Sequence, residues 1–246
     1  LLHSAHHVGP LTVQRPFYPE GETCHLYLLH PPGGVVGGDT LDISVRLDAK
    51  SHTLITMPGA SKFYRSSGPQ ARLSQHFYLD EGSTLEWLPQ DTIIFPGANA
   101  ALRSVFHLKA SSTLLAWELY CLGRPVIGET FSHGTLESRL EVWVDDEPRL
   151  IERQHLGDGD LTPVAGHPWI GTLLFYPANE EHLDTVRALL APLGHFAGAT
   201  LTDELLSVRF LSHDNLICQR VMRDIWQSLR PLLTTKTACS PRIWQT

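Results

Sequence analysis

Cysteine is scarce in this chain and is not arranged for metal binding. The four present are Cys24, Cys121, Cys218 and Cys239, and no two form a C-x-x-C pair. That leaves out the usual zinc signatures. They read as reduced structural thiols of a cytoplasmic protein. Long apolar runs are also missing. None reaches the length of a membrane-spanning helix, so no membrane partner is expected. Positive charge is short: Lys and Arg number 19 against 26 Asp and Glu, a net charge of -7. Nucleic acid would need a basic face, so none is expected as a partner. The fourteen histidines include one adjacent pair, His6-His7. Apart from His3 and His7 at the start of the chain, none has the H-x-x-x-H spacing of a helical zinc site. His25 and His30 in "HLYLLH" lie five apart on a predicted strand, which turns them to opposite faces.

One lysine is absent where it would matter most. "HPPGGVVGGDTLDISVRL" carries G-x-x-x-x-G from Gly33 to Gly38. A phosphate loop would follow this with Lys and then Ser or Thr. Here Asp39 occupies the lysine position, and a carboxylate repels phosphate. A phosphate loop must also open a helix, and Leu41 to Leu47 alternates as a strand. Nucleotide binding is therefore rejected. Glycine doublets remain, making a tight strand-to-strand turn with an acid beside it.

What is present is mostly strand. The 246 residues suffice for one large domain or two small ones. "LDISVRL", "LSQHFYL" and "LESRLEVWV" alternate with period two, the mark of half-buried strands. A weak repeat runs through Thr23, Thr53, Thr84 and Thr113, at steps of 30, 31 and 29 residues. Strands ending at Leu47, Leu79 and Leu108 precede the last three copies. Pro31, Pro58, Pro89 and Pro125 follow the four. A fixed period of this length predicts stacked β-units, each covering its neighbour's apolar face. A β-sandwich with regular strand spacing is the alternative.

Beyond residue 176 the pattern changes. "NEEHLDTVRALLAPL" sets Leu183, Val186, Leu189, Leu190 and Leu193 at helical spacing, with Asn179 as the N-cap. "TDELLSVRFLS" returns to a strand. A second helix follows, with Leu216, Ile217, Val221, Ile225, Leu229 and Leu232 as its predicted apolar stripe. The expected architecture is mostly β. Residues 1–176 form a solenoid-like, β-helical stack, and a small helix–strand–helix part over 177–246 packs on it as one structural unit.

Four segments, "HLYLLHPPGGVVGGD", "TMPGASKFYRS", "LEWLPQDTIIFPGA" and "CLGRPVIGE", together resemble the urease accessory protein family UreD, also called UreH. The likeness runs from about Val8 to the C-terminal "PRIW". Members usually carry further residues ahead of such a start. The resemblance implies a maturation chaperone, not an enzyme. Its implied partners are UreF, the GTPase UreG and urease apoprotein, to which nickel is delivered. It also implies a mostly β helical stack, with no tightly bound cofactor and nickel only in transit.

A conduit must bind its ion weakly and release it. Clustered His and Cys would trap nickel, whereas isolated carboxylates and hydroxyls around water suit passage. Asp39, beside the glycine turn, is the first candidate; its structural alternative is a turn residue bonding its own backbone. Glu118 lies in the apolar strand "LLAWELYCL", where a carboxylate is costly unless paired, hydrated or liganded. An ion pair with Arg124, Lys62 or Arg65 is its alternative. Glu152 and Ser61 complete the set, with a solvated strand face and a turn as their alternatives. Lys62, Tyr64, Arg65 and Arg124 are assigned to partner docking or internal ion pairs. Val221, Met222, Ile225 and Trp226 are weighed between partner contact and core. The competing function is a β-solenoid acting on polysaccharide, with Asp39, Glu86, Glu118 and Glu152 as candidate carboxylates and tryptophans lining an open groove. A pure scaffold without metal contact is the third.

Overall fold

A computed structural model describes residues 2–245; Leu1 and Thr246 lie outside the described residues. Strands β1 (Thr12–Val13) and β2 (Phe17–Glu20) flank β3 (Thr23–Leu29) antiparallel. From β3 the chain winds in coils. The first runs from β3 through the glycine turn to β4 (Thr40–Leu47). The second is β5 (His52–Thr56), β6 (Ser61–Phe63) and β7 (Ala71–Leu79). The third is β8 (Thr84–Trp87), β9 (Thr92–Ile94) and β10 (Asn99–Leu108). The last is β11 (Thr113–Arg124), β12 (Glu129–Thr130) and β13 (Thr135–Val144). Corresponding strands pair in parallel. β3, β5, β8 and β11 build sheet one; β4, β7, β10 and β13 build sheet two. This is the expected β-solenoid, of about three turns.

The register explains both the success and the slip of the repeat. Leu47, Leu79 and Leu108 stack on one another, and all are buried. Each such leucine contributes about 1.5–3 kcal/mol by leaving water. Thr84 pairs with Thr113, but His52, not Thr53, pairs with Thr84. Thr53 pairs with Cys24 and Leu85. A one-residue offset on a strand turns a side chain to the other face, so the second threonine looks inward while Thr84 and Thr113 look out.

The winding then reverses. β14 (Glu147–Gly157) returns antiparallel to β13, and β15 (Trp169–Tyr176) antiparallel to β11. Helix α1 (Glu180–Leu190) follows, with Asn179 accepting from the His182 amide at 3.1 Å. The tail adds two strands rather than one. β16 (Ala197–Thr202) and β17 (Leu205–Ser212) form a hairpin whose second strand extends sheet one beside β15. Helix α2 (Asn215–Thr234) follows, and a short 3-10 turn at Arg242–Gln245 brings Trp244 against Trp226. No helix among the described residues is long and apolar enough to cross a membrane.

Two cores result. The first lies inside the solenoid between the sheets, with Leu26, Ile55, Phe77, Trp87, Phe106 and Leu136. The second lies outside sheet one, where Leu54, Leu115 and Trp117 meet Met222, Ile225 and Trp226 of α2. The buried stripe of α2 is Cys218, Met222, Ile225, Trp226 and Leu229. Leu216 and Leu232, expected in it, are 74% and 51% exposed. Sheet one is thus covered on both faces, and the outer face of sheet two is bare.

Candidate functional site

One layer of the solenoid interior is polar. β11 puts Leu114 and Ala116 into the core, and the same alternation then points Glu118 and Tyr120 inward. Glu118 sits where the parallel ladder is interrupted. β8 pairs with β11 up to Ala116, and β9 resumes at Tyr120. Across the interior, Gln75, Ser104, Leu140 and Glu152 align on β7, β10, β13 and β14. On the other side of Glu118, Thr172 and Arg209 continue its row on β15 and β17.

Hydrogen bonds join these rows. The Ser104 hydroxyl donates to Glu118 Oε1 at 2.5 Å, and the Tyr120 hydroxyl donates to Glu118 Oε2 at 2.6 Å. Gln75 Nε2 donates to Ser104 Oγ at 2.9 Å. Arg209 Nε donates to Glu152 Oε2 at 2.9 Å, and its Nη2 reaches the same oxygen. A cavity of about 420 Å³ opens beside them, lined by Glu118, Tyr120, Ser138, Glu152, Gln154 and Arg209 among others. Burial pushes the Glu118 carboxyl above the usual carboxylate range, and the Glu152 charge adds to this; the Ser104 and Tyr120 bonds oppose it. Tyr120 is pushed far up by burial and by the Glu118 charge. The arrangement offers a carboxylate that is stabilised by taking up a cation or a proton.

Two of the four candidate metal residues therefore converge, and two do not. Asp39 is exposed at the first coil, and its Oδ2 accepts the Val36 amide at 3.1 Å, closing the glycine turn. Ser61 is half-buried on β6 and donates to Met57 Sδ at 3.8 Å. Glu118 makes none of the three ion pairs considered for it. Arg124 instead forks onto Glu129, with Nη2 to Oε1 at 3.0 Å, and lies 4.9 Å above the Phe95 ring. Tyr64 packs under the glycine turn and edge-on to Phe95 at 4.9 Å. The Arg65 stem lies against Gly97. The Lys62 carbonyl accepts the Val35 amide at 2.7 Å.

A second polar cluster, outside sheet one, pairs groups whose partnership no local pattern announces. Glu86 of β8 faces α2, where Trp226 Nε1 donates to it at 2.7 Å and Arg230 at 3.0 Å. Arg230 also forks onto Glu20 at 2.7 and 2.9 Å. His25 contacts Glu20 at 2.6 Å and His52 contacts Glu86 at 2.7 Å. The faint sequence signals were an acid between Leu85 and Trp87 and an arginine inside "SLRPLL".

These placements bear on the rival chemistry. Glu86 is committed to Arg230, and of the six tryptophans four are buried and two, Trp143 and Trp244, half-buried, on separate faces. Among the described residues, no three His, Cys, Asp or Glu side chains gather to hold a metal.

The family model for the UreD urease accessory protein matches residues 1–245. A urease accessory protein UreD of Enterobacter sp. (strain 638) is 77% identical over 246 residues, covering 100% of this chain and 90% of that one. The Klebsiella aerogenes protein of that name is 71% identical, covering 100% and 91%. The one from Pseudomonas putida (strain GB-1) is 55% identical over 240 residues, covering 98% and 87%. Proteins of this kind assist urease maturation and are accessory factors, not enzymes. With motifs, solenoid and whole-chain likeness in agreement, the chain belongs to the UreD family of urease accessory proteins.

Proposed function

We propose that this chain is a platform between UreF, the GTPase UreG and urease apoprotein in the cytoplasm, and that nickel crosses it as cargo through the polar layer of the solenoid. The observation that carries this is the convergence of Glu118 and Glu152, from opposite sheets, on one polar cavity in an otherwise apolar interior. Two carboxylates with hydroxyls and an amide make a weak, oxygen-rich site for a divalent ion. An ion entering takes over the stabilisation of Glu118 that a proton supplies. It leaves again because no nitrogen or sulfur cage holds it. Asp39, at the coil where the glycine turn opens, and Ser61 are proposed as further points along the route. Lys62, Tyr64, Arg65 and Arg124 support its walls and the neighbouring partner surface.

The test is co-expression with UreF, UreG and urease apoprotein, comparing wild type with Glu118→Ala, Glu152→Ala and Asp39→Ala, singly and together. Intact complexes carrying urease with less nickel are the expected result. Normal nickel content in the combined variant would reject the passage and leave a scaffold.

A further inference from the structure

Sheet two turns a bare face to solvent, and arginine dominates part of it. The register aligns Arg103, Arg139 and Arg153 side by side on β10, β13 and β14. Arg72 stands one row away on β7. Neighbouring strands lie about 4.8 Å apart, so these guanidinium groups crowd one another, and like charges directly opposite destabilise a sheet. Only part of this charge is met from within. Glu141, 2% exposed, takes Arg103 Nη2 at 2.9 Å, Arg139 Nε at 2.7 Å and Trp143 Nε1 at 3.2 Å. Among the described residues, the Arg72 and Arg153 side chains have no partner at all, and both are exposed. A groove of about 540 Å³ runs between them, lined also by Arg103, Arg139, Glu137 and His155. Beyond the arginines, Arg46 lies 4.1 Å above the Tyr78 ring, which stacks on His107 at 4.8 Å.

We propose that this face is a docking surface for a carboxylate-rich polypeptide segment, which lies in the arginine groove and against the Tyr78–His107 stack. Arginine forks match carboxylates in two-point geometry, and Arg with aromatic rings is the composition of interface centres. Five arginines, Arg46, Arg72, Arg103, Arg139 and Arg153, stand on this face with three carboxylates, Asp42, Glu137 and the enclosed Glu141. The charge is therefore complementary to an acidic chain. A nucleic-acid backbone fits less well. Asp42 and Glu137 interrupt the face, and an unbroken row of backbone phosphates cannot step around them as a peptide with spaced carboxylates can. Nothing in this proposal depends on nickel passage.

The test is fluorescence anisotropy of the full chain with a fluorescein-labelled peptide of alternating Glu and Ser. A Lys–Ser peptide and an oligothymidylate serve as comparisons. Saturable binding of the Glu–Ser peptide is expected, weakening as salt rises. Arg72→Glu with Arg153→Glu should weaken it by about tenfold or more, with thermal melting not lowered, because neither side chain has an internal partner and the charge reversal relieves the repulsion from Arg139. The milder Arg72→Gln with Arg153→Gln should move affinity the same way. No binding by wild type, equal affinity in both double variants, or tighter binding of the oligothymidylate would each overturn the proposal.

Discussion

Arg230 of α2 and Glu86 of the third coil meet at 3.0 Å with both side chains fully buried. The contact is a cross-link between the last helix and the solenoid, and Glu20 extends it to the first strands. Buried ions are costly, and this pair is tolerated because nearly every lone pair and donor is used. Arg230→Ala would leave two carboxylates without their shared partner. Its expected cost is about 3–5 kcal/mol, read as a lower urea midpoint. Arg230→Lys should recover only part, since one ammonium cannot fork onto both acids.

The same cluster sets a pH dependence. Burial alone would raise Glu86, but bonds from His52 and Arg230 and their charges outweigh it and hold the carboxyl below its ordinary range. An acid held low adds stability above its unfolded value, and that stability is lost as pH falls through the folded one. His25, lowered by burial despite Glu20 beside it, works in the same direction, because the folded state resists its protonation. Glu86→Gln should therefore be less stable than wild type at neutral pH, with the difference shrinking in acid. Chemical denaturation across a pH series checks this.

Glu118 carries the opposite sign. Burial holds its carboxyl above the ordinary value, so the folded chain loses stability as pH rises from the unfolded value to the folded one. Glu118→Gln keeps the size, accepts from one of the Ser104 and Tyr120 hydroxyls and donates to the other, as the protonated acid does, and removes the charge. It should match wild type in acid and exceed it at neutral pH. A variant that is less stable at neutral pH would mean the carboxylate is stabilised in a way these contacts do not account for.

Gly34 has no room for a side chain. A Cβ there would stand 2.1 Å from Tyr64 Cε2. Gly34→Ala should cost about 1–3 kcal/mol through overpacking. Tyr64→Ala made in the same chain should cost less than it does alone, the coupling expected of two groups in contact.

At α1, Asn179 and His182 cap one another. Asn179→Ala should cost about 1 kcal/mol, with amide exchange quickening in the first turn of that helix and not in the coils.

Stacking was readable because it is written locally. Leu47, Leu79 and Leu108 recur at strand ends, and Asn179 announces its helix in the adjoining letters. β16 was not readable, since "AGATLT" is a short strand at a sheet edge with little apolar side chain to mark it. The α2 stripe holds Ile225 and Leu229 as the spacing predicts but takes Cys218 and Met222 in place of Leu216, Ile217 and Leu232, because that part of its burial is decided by the sheet beneath. Glu118 stood out as an acid in an apolar strand, yet its partners lie across the interior and beside it. Arg124, offered as a partner, finds Glu129 five residues on. Glu86 and Arg230 are 144 positions apart, and no periodicity connects them.

Arg230 also bonds Glu20 across 210 positions of chain, which has a consequence for synthesis. Coils can settle one upon another as the chain leaves the ribosome, each supported by the one before. The helix that shelters Leu54, Leu115 and Trp117 is made after all the coils it covers. Until it emerges, the nascent chain presents an oily wall with Glu86 met by His52 alone, a state open to holdase capture. Birth order thus leaves this maturation factor itself in need of shelter until α2 arrives.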